Sequence, residues 1–323
     1  MTGHVYAVVF AALVGAGVSF GLTPVVRMIA LRTGAVAHPG GRRVHARPTP
    51  LLGGVAIYVG FVVAVVLTVA LAPDLKVSRQ LLGLLLGGSL VAFVGILDDK
   101  LDLPGWAQAA AILVGGLVLV LFRSEIRYVT NPFKHGELIW LGALSVPVTL
   151  GWVLMVTKAV DCMDGLDGLA AGIGVIAAGT LMLTAVRLGG KFQMSAVMAA
   201  ALMGAALGFL RFNYPPAKIF MGTVGAQFLG FVLAGISMAG AFKLTTLAAI
   251  AAPILILGVP LFDTTFVVLK RAIGGKKVHE ADTTHLHHRL VDKGLSHRQT
   301  IWFIYALTFI FCGAAYALFS YVK

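Results

Sequence analysis

Asp164-Gly165-Leu166-Asp167-Gly168-Leu169-Ala170-Ala171-Gly172 follows directly on a hydrophobic stretch. A carboxylate in or beside a bilayer is expensive and marks a functional site by default. Two of them, three residues apart and separated by glycines, point to a polar turn at a helix end that is open to an aqueous ligand. Lys158 and Asp161 lie just upstream, and the spacing of three puts successive carboxylates on neighbouring faces if the segment is helical. A second acidic group, Asp98-Asp99, is followed by Lys100 and Asp102. Adjacent aspartates repel unless a cation, a proton or a basic group compensates. Oxygen-rich sites of this sort suit Mg²⁺ or Mn²⁺ shared with a phosphate. A solvated interfacial turn has the same composition, and the pair alone does not separate the two readings.

Basic and glycine-rich segments complete the inventory. His45-Ala46-Arg47-Pro48-Thr49-Pro50 precedes Gly53-Gly54. The prolines make a stiff extended segment, and the glycines allow close backbone approach where the next helix begins. His45 and Arg47 either anchor the loop at lipid headgroups or reach toward a phosphate. Arg211-Phe212-Asn213-Tyr214-Pro215-Pro216 leads to Gly222-Thr223-Val224-Gly225-Ala226, whose glycines flank a helix N-terminus, an anion site in principle. His285-Leu286-His287-His288-Arg289 could bind Zn²⁺ or a diphosphate. The helical i, i+4 ligand spacing zinc favours is not clear there, and Arg289 fits diphosphate better. Asp263, after Pro260, has a structural and a site reading of equal weight.

The elements that must position these residues are apolar. The chain has 323 residues, 59% hydrophobic and 12% charged, with mean hydropathy +0.94; a soluble domain carries about twice that charged fraction. The apolar residues fall in long runs, which excludes the alternating ten-residue segments of a β-barrel. The sequence predicts an all-α, polytopic membrane bundle of about ten spanning helices, centred near Val14, Val62, Leu86, Gly116, Val148, Ile176, Met203, Leu233, Leu257 and Phe309. Pro253 and Pro260 predict a kink or break in the ninth. The first run, from near Val5, lacks a basic segment and a cleavage site and reads as a spanning helix rather than a signal peptide. Residues 1–323 read as one domain, with a longer loop at about 270–299. Cys162 and Cys312 read as small hydrophobes between helices, not as a disulfide or metal site.

Assigning loops alternately to two sides puts 31–51, 97–105, 157–167, 211–222 and 270–299 together, with sixteen of the 25 lysines and arginines once Arg27, just before the first of them, is counted. The positive-inside rule makes that side cytoplasmic and leaves both termini outside. Nearly all the motifs fall on it. The net charge of +12 is scattered through loops, so anionic headgroups and anionic substrates, not nucleic acid, are the expected partners.

The ordered set HARPTPLLGG, GILDDKLDLP, DGLDGLAAG, FNYPPAKIFMG, GVPLFDTTFVVLKR and ADTTHLHHRL resembles the polyprenyl-phosphate N-acetylhexosamine-1-phosphate transferases, glycosyltransferase family 4 (the MraY, WecA and TagO types), over nearly the whole chain. HLHHRL is similar to the branch that uses UDP-GlcNAc or a related UDP-HexNAc. The resemblance implies transfer of a sugar 1-phosphate from the UDP-sugar to a polyprenyl phosphate such as undecaprenyl phosphate, release of UMP and use of Mg²⁺. It implies a cytoplasmic active site in the bacterial inner membrane and the first membrane step of cell-envelope glycan synthesis, of the lipopolysaccharide or teichoic acid kind. The family is often a homodimer, although no interface signal is visible here. By matching motifs, Asp98 and Asp99 would orient or deprotonate the lipid phosphate and, with Asp164, help hold metal. Asp164 and Asp167 would contact nucleotide or metal. His285, His287, His288 and Arg289 would bind the diphosphate and uridine side, and His45 and Arg47 would receive the lipid phosphate. Asn213 lies in the FNYPP motif and is a further substrate-binding candidate.

Four positions depart from the family's pattern. The family has a metal-ligand Asp at the Thr223 position, Ser at Ala226, and Asn at the positions of Lys158 and Asp161. One reading is that Asp161 replaces the missing ligand or that Lys158 supplies charge directly. The opposing readings are a non-catalytic homologue that binds nucleotide or lipid, an enzyme for UDP-MurNAc-pentapeptide, or a transporter with broken helices and intramembrane charge. Carboxylates gathered at one membrane face rather than the midplane weigh against the last.

Overall fold

A computed structural model describes residues 2–37, 48–72, 75, 77–131, 137–241, 247–274 and 284–320. His45 and Arg47 lie outside the described residues, and so does Asp282. The described chain is a helical bundle with two short hairpins. Its helices are α1 (Thr2–Thr33), α2 (Gly54–Leu71), α3 (Arg79–Leu101), α4 (Gly105–Leu121), α5 (Ser145–Cys162), α6 (Leu169–Leu188), α7 (Gln193–Asn213), α8 (Gly222–Ala241), α9 (Leu247–Ile256), α10 (Gly258–Ile273), α11 (Leu286–Asp292) and α12 (His297–Ser320). Strands β1 (Val36–Ala37) and β2 (Thr49–Pro50) pair antiparallel, as do β3 (Tyr128–Thr130) and β4 (Leu138–Trp140).

Seven of the described helices are long and apolar enough to cross a membrane, and α4 and α8 are shorter apolar helices. Nine of the ten expected centres fall inside helices, and the tenth, Leu257, falls at the junction where α9 ends and α10 begins. Pro253 and Pro260 flank that junction, so the break sits where the missing proline N–H groups weaken the ladder. Both cysteines are free. Leu13, Phe93, Trp106, Leu121, Phe309 and Ile310 are exposed large hydrophobics, as lipid-facing side chains are.

Small residues set the packing. On α7, Gly204 and Gly208 lie against the backbone of Ala12 and Ala16 on α1, so closely that a Cβ at either would collide. Such contacts substitute for the hydrophobic drive that lipid removes. The same device brings α8 to the centre. Gly95 of α3 sits against Val224, and Gly54 of α2 against Gly225. The backbone of Gly53 and Gly54 donates to the Phe220 and Met221 carbonyls at 2.9 and 2.8 Å, and Phe220 N donates to the Pro50 carbonyl at 2.8 Å. The Gly53-Gly54 pair therefore makes the close approach its sequence predicts, and it fixes where α8 begins.

Candidate active site

A cleft of about 580 Å³ opens at one end of the bundle, lined by residues of β1, the β2–α2 loop, the end of α3, the α5–α6 turn, the α7–α8 loop and α11. Its size suits a small-molecule ligand. All five loops that the sequence assigned to one side contribute to it. Asp98, Asp99, Lys100, Asp102, Asp161, Asp164, Asp167, Asn213, Thr223 and His288 are on its walls.

The α3 end separates the two adjacent aspartates. Asp99 lies at the N-terminus of α8, where its Oδ1 accepts from Thr223 N at 2.8 Å and its Oδ2 from Val224 N at 3.3 Å. Gly222, with φ +71°, makes the turn, and a side chain there would strike that carboxylate. The anion that the sequence expected at this helix terminus is thus a residue of the protein itself. Asp98 is buried and turns the other way. Its Oδ1 accepts from Leu103 N at 3.0 Å and from Gln108 Nε2 on α4 at 2.9 Å.

Helix α5 ends at Cys162, so the aspartates beyond it leave the helix that their spacing allowed. Asp161 is in its last turn. Lys158 Nζ donates to Asp161 Oδ2 at 2.5 Å and to Gln108 Oε1 at 2.9 Å. Gln227 of α8, fully buried, donates to the same two oxygens at 3.3 and 2.9 Å. Asp164 stands half-buried on the cleft wall. Desolvation first, and then the like charges of Asp161, Asp99 and Asp167, hold its carboxyl well above the usual range. Asp167 Oδ2 accepts from Ala217 N at 2.9 Å. Asn213, buried, accepts from Gly168 N at 2.9 Å and donates to the Ile219 carbonyl at 3.0 Å. The hydroxyl of Tyr305 on α12 donates to the Gly168 carbonyl at 2.6 Å. Asn213 and Asp167 therefore pin the turn to the α7–α8 loop, the route by which FNYPP and DGLDG act together.

Helix α11 brings the histidines. Asp263 of α10 accepts from Leu286 N at 2.7 Å and pairs with His285 Nδ1 at 2.7 Å. Burial disfavours the imidazolium of His285, but Asp263 and the Cys162 sulfur outweigh it and raise the pKa to about 10. Asp263 is thus the clamp of this segment, which resolves its two readings. His287 is buried against Gly165, and burial, with the charges of His288 and His285 next, pushes it down to about 3. It is a neutral ring whose nitrogens have no hydrogen-bond partner among the described residues. His288 reaches the cleft. Arg289 is exposed and lies 5.2 Å from the centre of the Phe266 ring rather than on the cleft wall.

The sequence expected metal on Asp98, Asp99 and Asp164. Among the described residues no group of three His, Cys, Asp or Glu side chains is placed to hold an ion. Asp99 is turned into α8 and Asp98 toward α4, while Thr223 offers no carboxylate. Mg²⁺ needs several oxygens at about 2.1 Å in near-octahedral order, and as arranged this donor set does not fit it.

Gln108 and Gln227, missed from the sequence, join Asp98, Lys158 and Asp161 into one network. Their signal was present: each is a lone amide in an apolar helix, where an unsatisfied polar group is costly.

A polytopic helical bundle with an acidic cleft at one end has the architecture of a membrane-embedded enzyme. The model for "Glycosyl transferase family 4" matches residues 81–241. The chain is 38% identical, over 93% of its length and 81% of the relative's, to the "Probable undecaprenyl-phosphate N-acetylglucosaminyl 1-phosphate transferase" of Bacillus subtilis (strain 168). It is 34% identical to the "Decaprenyl-phosphate N-acetylglucosaminephosphotransferase" of Mycobacterium tuberculosis (strain ATCC 25618 / H37Rv), over 95% and 81%. It is 32% identical to the "Phospho-N-acetylmuramoyl-pentapeptide-transferase" of Heliobacterium modesticaldum (strain ATCC 51547 / Ice1), over 90% of each. The chain belongs to glycosyl transferase family 4, in the branch of its N-acetylglucosaminyl 1-phosphate transferases.

Proposed function

We propose that the cleft transfers GlcNAc 1-phosphate from UDP-GlcNAc to a polyprenyl phosphate and releases UMP. The observation that carries this reading is the gathering of the DD, DGLDG, FNYPP and HLHHR segments on one cleft at the end of an apolar bundle. The names of the relatives point to the same sugar and lipid class. The basic residues of the loops that reach the cleft support a cytoplasmic active site in the bacterial inner membrane, with both termini outside, and a homodimer is the assembly in keeping with the family.

In this reaction an oxygen of the lipid phosphate forms a bond to the sugar-bearing phosphorus of the donor. The bridging P–O bond breaks, and its electron pair leaves with UMP. Both reactants are anionic, so positioning and charge compensation dominate. Asp164 stands on the cleft wall with its carboxyl pushed up by desolvation and by the neighbouring aspartates, so it resists adding negative charge beside the phosphates. Lys100 and His288 bring further donors to the walls. Asp99 acts by fixing the start of α8, not as a free base. Purified protein given polyprenyl phosphate and UDP-GlcNAc should release UMP and form a lipid-linked GlcNAc diphosphate. Release only with UDP-MurNAc-pentapeptide would move the chain to the muramoyl branch, and no release with either would leave a binding homologue.

A further inference from the structure

We propose that the Lys158 ammonium is a built-in cation of the cleft and that nucleotide diphosphate binds this chain without a divalent metal ion. The inference rests on the transferase reading, because that reading supplies the diphosphate ligand.

Six aspartates line the cleft, yet four already have donors supplied by the protein. Asp99 has the first amides of α8, Asp98 has Leu103 N and Gln108, and Asp167 has Ala217 N. Asp161 has Lys158 and Gln227. Recruiting Asp98, Asp99 and Asp161 around an ion would break these bonds and expel an ammonium that is already there. An ammonium is a compact point charge with three donors. Two of them are spent on Asp161 and Gln108, which come from different helices and hold the group in place. The Lys158 side chain keeps 33% of its exposure, and Asp161 beside it forms part of the cleft wall. Gln108 carries the link on to Asp98. The result is one cation joined directly to Asp161 of α5 and through Gln108 to Asp98 of α3, two carboxylates that line the cleft. Thr223, at the start of α8 on the same cleft, adds a hydroxyl where a carboxylate would have raised the demand for a metal.

The test is UDP binding to the purified full chain in detergent micelles, by calorimetry, with EDTA or with Mg²⁺. The wild-type Kd should agree within about threefold between the two conditions. Lys158→Asn should weaken UDP by about tenfold or more in EDTA, the scale of one charge-assisted contact, while Lys158→Arg stays within a few fold. Lys158→Asn combined with Thr223→Asp should bind UDP only when Mg²⁺ is present. Wild-type binding that EDTA weakens tenfold or more and Mg²⁺ restores overturns the proposal while leaving the transferase reading intact. The wild-type comparison decides even if a variant fails to fold. Absence of UDP binding in both conditions refutes the transferase reading together with the proposal built on it.

Discussion

Removing the Asp263 clamp should release the histidine segment while the bundle stays folded. Asp263 is 7% exposed and holds α11 by two contacts of 2.7 Å, one to a backbone amide and one to His285. A hydrogen bond to a charged group contributes about 1.5–3 kcal/mol, so losing both in Asp263→Ala should cost roughly 3–6 kcal/mol locally. Hydrogen exchange of residues 286–292 should therefore accelerate by about a hundredfold or more in the variant, with the helices of the bundle unchanged. Asp263→Asn, which keeps an acceptor for Leu286 N, should fall between. A folded-state pKa above the unlocked value means that this stabilisation is complete below 6.5 and is lost as pH rises through about 10. The gap between wild type and Asp263→Ala should be widest near pH 6 and shrink toward pH 10. Equal exchange in both proteins, or a gap that widens with pH, would refute the clamp.

Asp164 titrates in the opposite sense. Its raised carboxyl favours the protonated folded chain, so stability should fall as pH rises from the ordinary 3.8 through the raised value, and turnover should fall along the same limb. Asp164→Asn should flatten both profiles, as read by thermal midpoint and by UMP release across pH. Gly165→Ala would drive a methyl into the His287 ring; the KM for UDP-GlcNAc should rise by about tenfold, and adding His287→Ala should reverse much of the rise. Thr223→Asp alone should not increase UMP release, because Asp99 already holds the α8 amides and the new carboxylate repels it; a large gain would show that the cleft lacks only a metal ligand.

Much of this site was legible because chemistry in an apolar chain is conspicuous. Carboxylates, histidines and paired glycines stand out against long hydrophobic runs, and loop alternation was enough to collect them on one side. The break at Leu257 followed from Pro253 and Pro260. Partner choice was not legible. Nothing local distinguishes Asp98 from its neighbour, yet one faces Gln108 on α4 and the other the first amides of α8, because Gly95 and Gly54 bring α3 and α2 against α8. Arg289 was expected on the diphosphate, but the register of α11 sends His288 to the cleft and lays Arg289 over Phe266. The importance of Lys158 lies in a contact with Gln108, fifty residues away in sequence, that spacing could not reveal.

The central claim is transfer of a sugar 1-phosphate, and the fate of the donor's two phosphates tests it most directly. UDP-GlcNAc labelled in the sugar-bearing phosphate should pass its label to the polyprenyl lipid, while label in the uridine-bearing phosphate should leave as UMP. Both phosphates leaving together as UDP, or both staying on the unreacted donor, would contradict the account.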